Sequence, residues 1–264
     1  MRELRDEPWA RPLLDDINAT GGLTRDNKTK LFELRFGYAL RHAGITPRYE
    51  VAGEAQSTLD FGFNSAKKDW LVELMRLEET QAAKGATRSE TDEHGTPWVK
   101  RVLATDAEDP KRSEEGETLK AVERICQKCE HDGRPHKFPA PAGAHHAILV
   151  DIRTFLNGGD EYDRVHVGLG GEYVPDEMCR RYWDKQLISG VFSPRTTLRG
   201  AAEARSRVHF LGFVREQAYA AGAFGKAIQF IANPNLLKTE AEVRAAIATW
   251  PLQPAAILNV GRGK

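Results

Sequence analysis

An acidic residue inside an otherwise apolar run constrains this chain more than any other feature of its sequence. Trp70-Leu71-Val72-Glu73-Leu74-Met75-Arg76-Leu77 is nearly continuously apolar, and Glu73 shares a strand face with Leu71, Met75 and Leu77. Such a run reads as a central strand buried on both sides. A charge there is costly unless it is paired, hydrogen-bonded or bound to a metal. The chain must therefore fold in a way that brings Glu73 a partner.

More carboxylates stand nearby in the sequence. Ser57–Phe63 alternates, with Leu59, Phe61 and Phe63 predicted on one side and Thr58, Asp60 and Gly62 on the other. Glu50 lies in a preceding strand, Pro47–Ala52, and Glu33 borders the apolar face of a helix predicted from about Thr29 to Ala43, capped by Asp26 or Asn27. Neighbouring strands run roughly 5 Å apart, so carboxylates on matching faces can converge on one hard cation. Mg²⁺ or Mn²⁺ takes such oxygen ligands, with Asp60, Glu73 and Glu50 as the candidate set. Taken singly, each carboxylate has a plainer explanation, Glu33, Glu50 and Asp60 as solvated charges and Glu73 as a buried partner of Arg35 or Arg41.

Composition narrows the function classes. Lys plus Arg and Asp plus Glu both number 38 in 264 residues, so the net charge is zero and any basic groove for nucleic acid must be local. No run of eighteen apolar residues occurs, which predicts no membrane span, and Met1–Glu7 has no apolar run behind it to make a signal peptide. Three cysteines, Cys126, Cys129 and Cys179, do not make a disulfide framework, and the cytoplasm is the expected compartment.

Along the chain, residues 1–27 read as an irregular lead-in. Residues 28–153 hold the helix, three strands, a charged insertion at about 80–116, a helix from about Glu117 to Glu130 and a strand His145–Arg153. Residues 154–264 add a further α/β portion, with strands at Val208–Val214 and Ile228–Ala232. A helix at Thr239–Trp250 is opened by a Thr239/Glu242 capping box. The fold class is α/β with a mixed central sheet.

Helix with Glu33, strand, strand with Asp60, twelve residues, then strand with Glu73-Leu74-Met75, followed by a helix and a strand, resembles the PD-(D/E)xK restriction-endonuclease-like superfamily over about residues 28–153. The resemblance implies an αβββαβ core with C-terminal elaboration and metal-dependent hydrolysis of phosphodiester bonds. DNA would be the substrate, with RNA second, and the role defence or restriction. It assigns Asp60, Glu73 and Glu33 to the catalytic set. Leu59 stands where the family name has proline, and Met75 where it has the lysine that orients the attacking water. Methionine cannot offset charge in a transition state. Lys120, Gln127 or Lys128 on the following helix could supply that group; failing that, the core is a degenerate module that binds nucleic acid or a protein partner. Nucleases of this class commonly dimerise, and no interface signature here supports a homodimer.

Other motifs carry less. Cys126, Cys129, His131 and His136 offer thiolates and imidazoles, but the single residue between Cys129 and His131 argues against zinc, and both cysteines fit a helix face as small apolar groups. Gly158-Gly159-Asp160-Glu161 reads as a turn, and His145-His146 as a strand-entrance feature rather than a ligand pair. Arg195, Arg199, Arg205 and Arg207, with Trp183, Tyr182 and Phe192 between them and Lys128–Lys137, could line a nucleic-acid groove or lie on a solvated surface.

Overall fold

A computed structural model of the chain describes residues 4–24, 26–78, 81–101, 113–131, 134–135, 137–153, 159–216, 223–253 and 255–260. Thr80, Val102 and Leu103 of the charged insertion, His136 and Gly158 lie outside the described residues. The strands that matter for the site are β1 (Arg48–Ala52), β2 (Thr58–Ser65), β3 (Lys68–Arg76), β4 (Ala144–Asp151), β5 (Phe210–Val214), β6 (Ile228–Ala232) and β7 (Ala256–Ile257). They form one mixed seven-stranded sheet, in the order β1-β2-β3-β4-β5-β6-β7. The first three pair antiparallel, β3, β4 and β5 run parallel, β6 returns antiparallel to β5, and β7 runs parallel to β6.

Among the described residues six helices cover the two faces: α1 (Arg11–Ala19), α2 (Lys28–His42), α3 (Glu114–Gln127), α4 (Glu161–Gly168), α5 (Ala201–Arg207) and α6 (Glu240–Ile247). One face packs Phe61, Phe63, Trp70, Val72 and Phe230 against α1, α2 and α6 through Leu13, Phe32, Phe36 and Val243. The other packs Met75, Ile148, Val150, Leu211 and Phe213 against α3, α4 and α5 through Val122, Ile125, Val165 and Ala204. Burying a side chain of that size stabilises by about 1.5–3 kcal/mol, so Glu73, set on the second face, sits in a layer that otherwise drives folding. Among the described residues no helix is long and apolar enough to cross a membrane.

Several local expectations are corrected. The lead-in holds α1, because Pro12 falls in the first helical turn, where its missing N–H costs nothing, and Leu13 and Ile17 share one buried face. The third helix starts a turn earlier than expected, where Ser113 caps it by accepting from the Gly116 N–H at 3.0 Å. The acidic glycine loop is a helix start: Asp160 and Asp163 form a reciprocal capping box on α4. The Thr239/Glu242 box opens α6 as its spacing predicts. The charged insertion contributes a short helix, Gln81–Ala86, and a hairpin of Thr87–Thr91 with Pro97–Arg101.

The alternation in β2 fails at one residue. Phe61 and Phe63 lie on the face of α2, but Leu59 is buried with Met75 and α3 on the other. The β2–β3 ladder runs from Ser65↔Lys68 to Phe61↔Val72 and no further. At the next position the Asp60 carboxylate, not a backbone carbonyl, accepts the Leu74 N–H at 2.6 Å. The strand turns over at that point, which redirects Leu59 and opens the sheet beside Asp60 and Glu73.

Candidate functional site

The opening between β2 and β3 gathers the carboxylates. Glu73 is fully buried, and its Oε1 accepts from Lys128 Nζ at 2.8 Å and Lys137 Nζ at 2.6 Å. Neither Arg35 nor Arg41 fills that role: Arg35 pairs with Glu216 and Arg41 with Glu7. Glu33, buried on α2, accepts from the Tyr49 hydroxyl of β1 at 2.9 Å. Glu50 is exposed in β1 with a positive φ of 52°, between the register pairs Tyr49↔Phe61 and Val51↔Leu59.

Electrostatics bind these groups into one cluster. Burial, then the charges of Glu73 and Glu33, push the Asp60 carboxyl up to about 8, against the opposing pull of Lys128 and the Leu74 N–H. Burial also raises Glu33, opposed by the Tyr49 hydrogen bond and Lys128 and reinforced by Glu73 and Glu50. Lys128 is desolvated, yet Glu73, Asp60 and Glu33 together raise it above the usual lysine value, so it stays charged. Tyr49 is raised by burial and by Glu33, and keeps its proton.

The structure thus brings together Asp60, Glu73, Glu33 and Lys128, with Glu50 at the exposed rim. Lys120, the other lysine expected from α3, bonds instead to Glu117 at 3.4 Å on its own helix. Gln127 bonds to Glu123. Lys137 was not singled out by sequence reasoning. It lies in the loop before β4, sixty-four positions from Glu73, and only its place at the end of the basic Lys128–Lys137 stretch hinted at it.

Whether a cation fits can be asked of the free oxygens. Glu73 Oε2 is buried with no hydrogen-bond partner, and its charge, after burial, helps push the nearby Asp60 carboxyl up to about 8. Both features are relieved by a positive ion. Among the described residues no group of three or more His, Cys, Asp or Glu is placed to hold a metal, so an ion here would be held by Glu73 and Asp60 with waters completing its shell, as suits Mg²⁺. The donors fit that hard cation class.

The other constellations resolve into structure. Cys126 and Cys129 are buried in the core behind α3, and burial pushes the Cys126 thiol up to about 12 and the Cys129 thiol well above its usual value. Arg195, Arg199 and Arg207 pair with Glu172, Glu130 and Glu54, and Arg205 donates to the Ser193 and Thr196 carbonyls at 3.0 and 2.9 Å. Phe192 is buried. These arginines tie loops together, which leaves the groove expected from them without support.

His145 and His146 lie within β4 and meet His209 just before β5, with ring centroids 5.0 and 5.6 Å from it. The His146 backbone N–H donates to His209 Nδ1 at 3.1 Å, and His146 Nδ1 faces the Arg207 carbonyl at 2.7 Å. Burial depresses His145 and His146 to about 4 and His209 to about 3, so all three are neutral near pH 7. No family model, no curated protein and no solved structure matches this chain.

Proposed function

We propose that the chain is a metal-dependent nuclease that hydrolyses phosphodiester bonds in DNA, on a restriction-endonuclease-like αβββαβ core. The observation that carries this reading is the convergence of Asp60, Glu73 and Glu33 with the charged Lys128 at the place where β2 parts from β3. The succession α2, β1, β2, β3, α3, β4 supports that core. Action in the cytoplasm, in defence or restriction, follows from this reading alone.

Glu73 Oε2 and Asp60 would hold Mg²⁺ or Mn²⁺, which when bound lowers the pKa of a water and offsets charge developing on the phosphate. Glu33 or Glu50 would assist through water. Lys128 supplies the cation that Met75 cannot, from the end of α3. Its side chain is 35% exposed, so it can turn from Glu73 to a phosphate oxygen.

A second reading draws on a different feature of the same site. Two lysines on one carboxylate already compensate its charge, as they would in a degenerate module that only binds. Cleavage of linear, circular and single-stranded DNA with Mg²⁺ or Mn²⁺ separates the two. The nuclease reading expects cutting that falls at least about a thousandfold in Glu73→Ala. No cutting of any substrate by the wild type, with band shifts retained, would establish the binding module in its place.

A further inference from the structure

Lys128 and Lys137 reach the same oxygen of Glu73 but are held differently. Lys137 is fixed at its backbone on both sides: its N–H donates to the Cys129 carbonyl at 2.9 Å. Its carbonyl accepts from the Glu54 N–H at 3.0 Å and from Ser57 Oγ at 3.1 Å. Its side chain is 13% exposed, whereas that of Lys128, at the C-terminal end of α3, is 35% exposed. Both ammonium groups sit on Oε1, and Oε2 is buried without a partner. A buried carboxylate with one oxygen saturated by two charged donors cannot rotate cheaply, since rotation would strand an ammonium group.

We infer that Lys137 is a positioning residue: it holds Glu73 with Oε2 turned toward the cation, and so frees Lys128 to leave Glu73 for the substrate phosphate. This rests on the nuclease reading. Without Lys137, Lys128 is the sole charged partner of a buried carboxylate and stays on it. Removing Lys137 then disables Lys128 without touching it. The two lysines are not equivalent counter-ions.

The test compares Lys137→Met, Lys128→Met, the double variant and Lys137→Arg, each shown to be folded by circular dichroism. In DNA cleavage with Mg²⁺, Lys137→Met is expected to lower kcat about a hundredfold with KM for DNA little changed. Lys137→Arg, which keeps the charge, recovers most of the rate. At saturating Mg²⁺, where a weaker hold on the cation no longer counts, the double variant is expected to be no slower than Lys128→Met, because the loss that runs through Lys128 is already contained in the first. Binding of Mn²⁺ alone, read by electron paramagnetic resonance without DNA, is expected to tighten severalfold in Lys128→Met, where a displaceable positive charge is gone. It is expected not to tighten in Lys137→Met, where the oriented oxygen is lost along with the charge. Multiplicative rate losses, or equal tightening in both variants, would overturn the inference while leaving the nuclease standing. A wild type that neither cuts DNA nor binds Mn²⁺ would sink the nuclease reading itself. Should Lys137→Met fail to fold, Lys137→Gln is put through the same measurements with the same outcomes.

Discussion

At Glu73 the sheet keeps a buried charge and surrounds it with ammonium groups, whereas at His145, His146 and His209 it removes the charge and keeps the ring. The two clusters lie on the same strands, since β3 and β4 place Glu73 beside Ile148 and Leu71 beside His146. The acidic cluster holds Glu73 on the ammonium groups of Lys128 and Lys137, and burial, then the charges of Glu73 and Glu33, push the Asp60 carboxyl up to about 8. The histidine cluster is neutral because desolvation outweighs every contact that would favour the imidazolium. Neutralisation is the cheaper solution for a buried titratable group. Retained charge with an oxygen left over is the costlier one, which is why the site is read there and not at the histidines.

The comparison predicts opposite responses to pH, and the three histidines together should give the larger effect. In the unfolded chain His146 takes its proton near the usual 6.5, but in the folded one only near 4. The unfolded state therefore binds more protons between those values, and acidification costs stability that is fully present above about pH 6.5. That loss is on the order of 3 kcal/mol from His146 alone. His146→Asn can keep a donor to the Arg207 carbonyl and cannot titrate. Its urea-unfolding free energy should fall less between pH 7 and 4.5 than the wild type's; an identical acid limb would break the contrast.

Asp60 runs the other way. Its folded value of about 8 lies above the usual carboxylate range. The native state thus holds the extra proton between about pH 4 and 8, and stability falls as pH rises through that window. Asp60→Asn, whose amide oxygen can still accept the Leu74 N–H, should gain about 2 kcal/mol at pH 9 with chelator present, after allowance for the solvent-facing part of the side chain. No gain at pH 9 would mean that Lys128 alone suffices to ionise Asp60. The smallest expected effect is at Tyr49→Phe, which removes the hydroxyl donated to Glu33 and should cost about 1 kcal/mol at neutral pH. A Tyr49→Phe protein as stable as the wild type would show that Glu33 finds its partner in solvent.

What could be read from the sequence divides along the same line. The strands, the two flanking helices of the core and the anomaly at Glu73 follow from periodicity and from the cost of buried charge, both local properties. Leu59 did not follow, because its face is decided by the Asp60 carboxylate taking the place of a ladder carbonyl, a tertiary event. Lys137 did not follow either: nothing near Cys129 or Phe138 in sequence states that this loop ends against Glu73. The choice of Lys128 over Lys120 depends on where α3 stops, since Lys120 sits two turns inside the helix and Lys128 caps it.

The joint between the β1–β2 turn and the Lys137 carbonyl has an engineering consequence. A Cβ at Gly53 would come within 2.6 Å of that carbonyl, and the Glu54 N–H and Ser57 Oγ are both spent on it. Hairpin tips are ordinarily the tolerant places for tags, inserted domains or the new ends of a circular permutant. In this molecule the tip at 53–57 is the exception. A cut or an inserted segment there would reach the carboxylate through Lys137, and a new terminus belongs elsewhere, such as the hairpin turn at Asp92–Gly95.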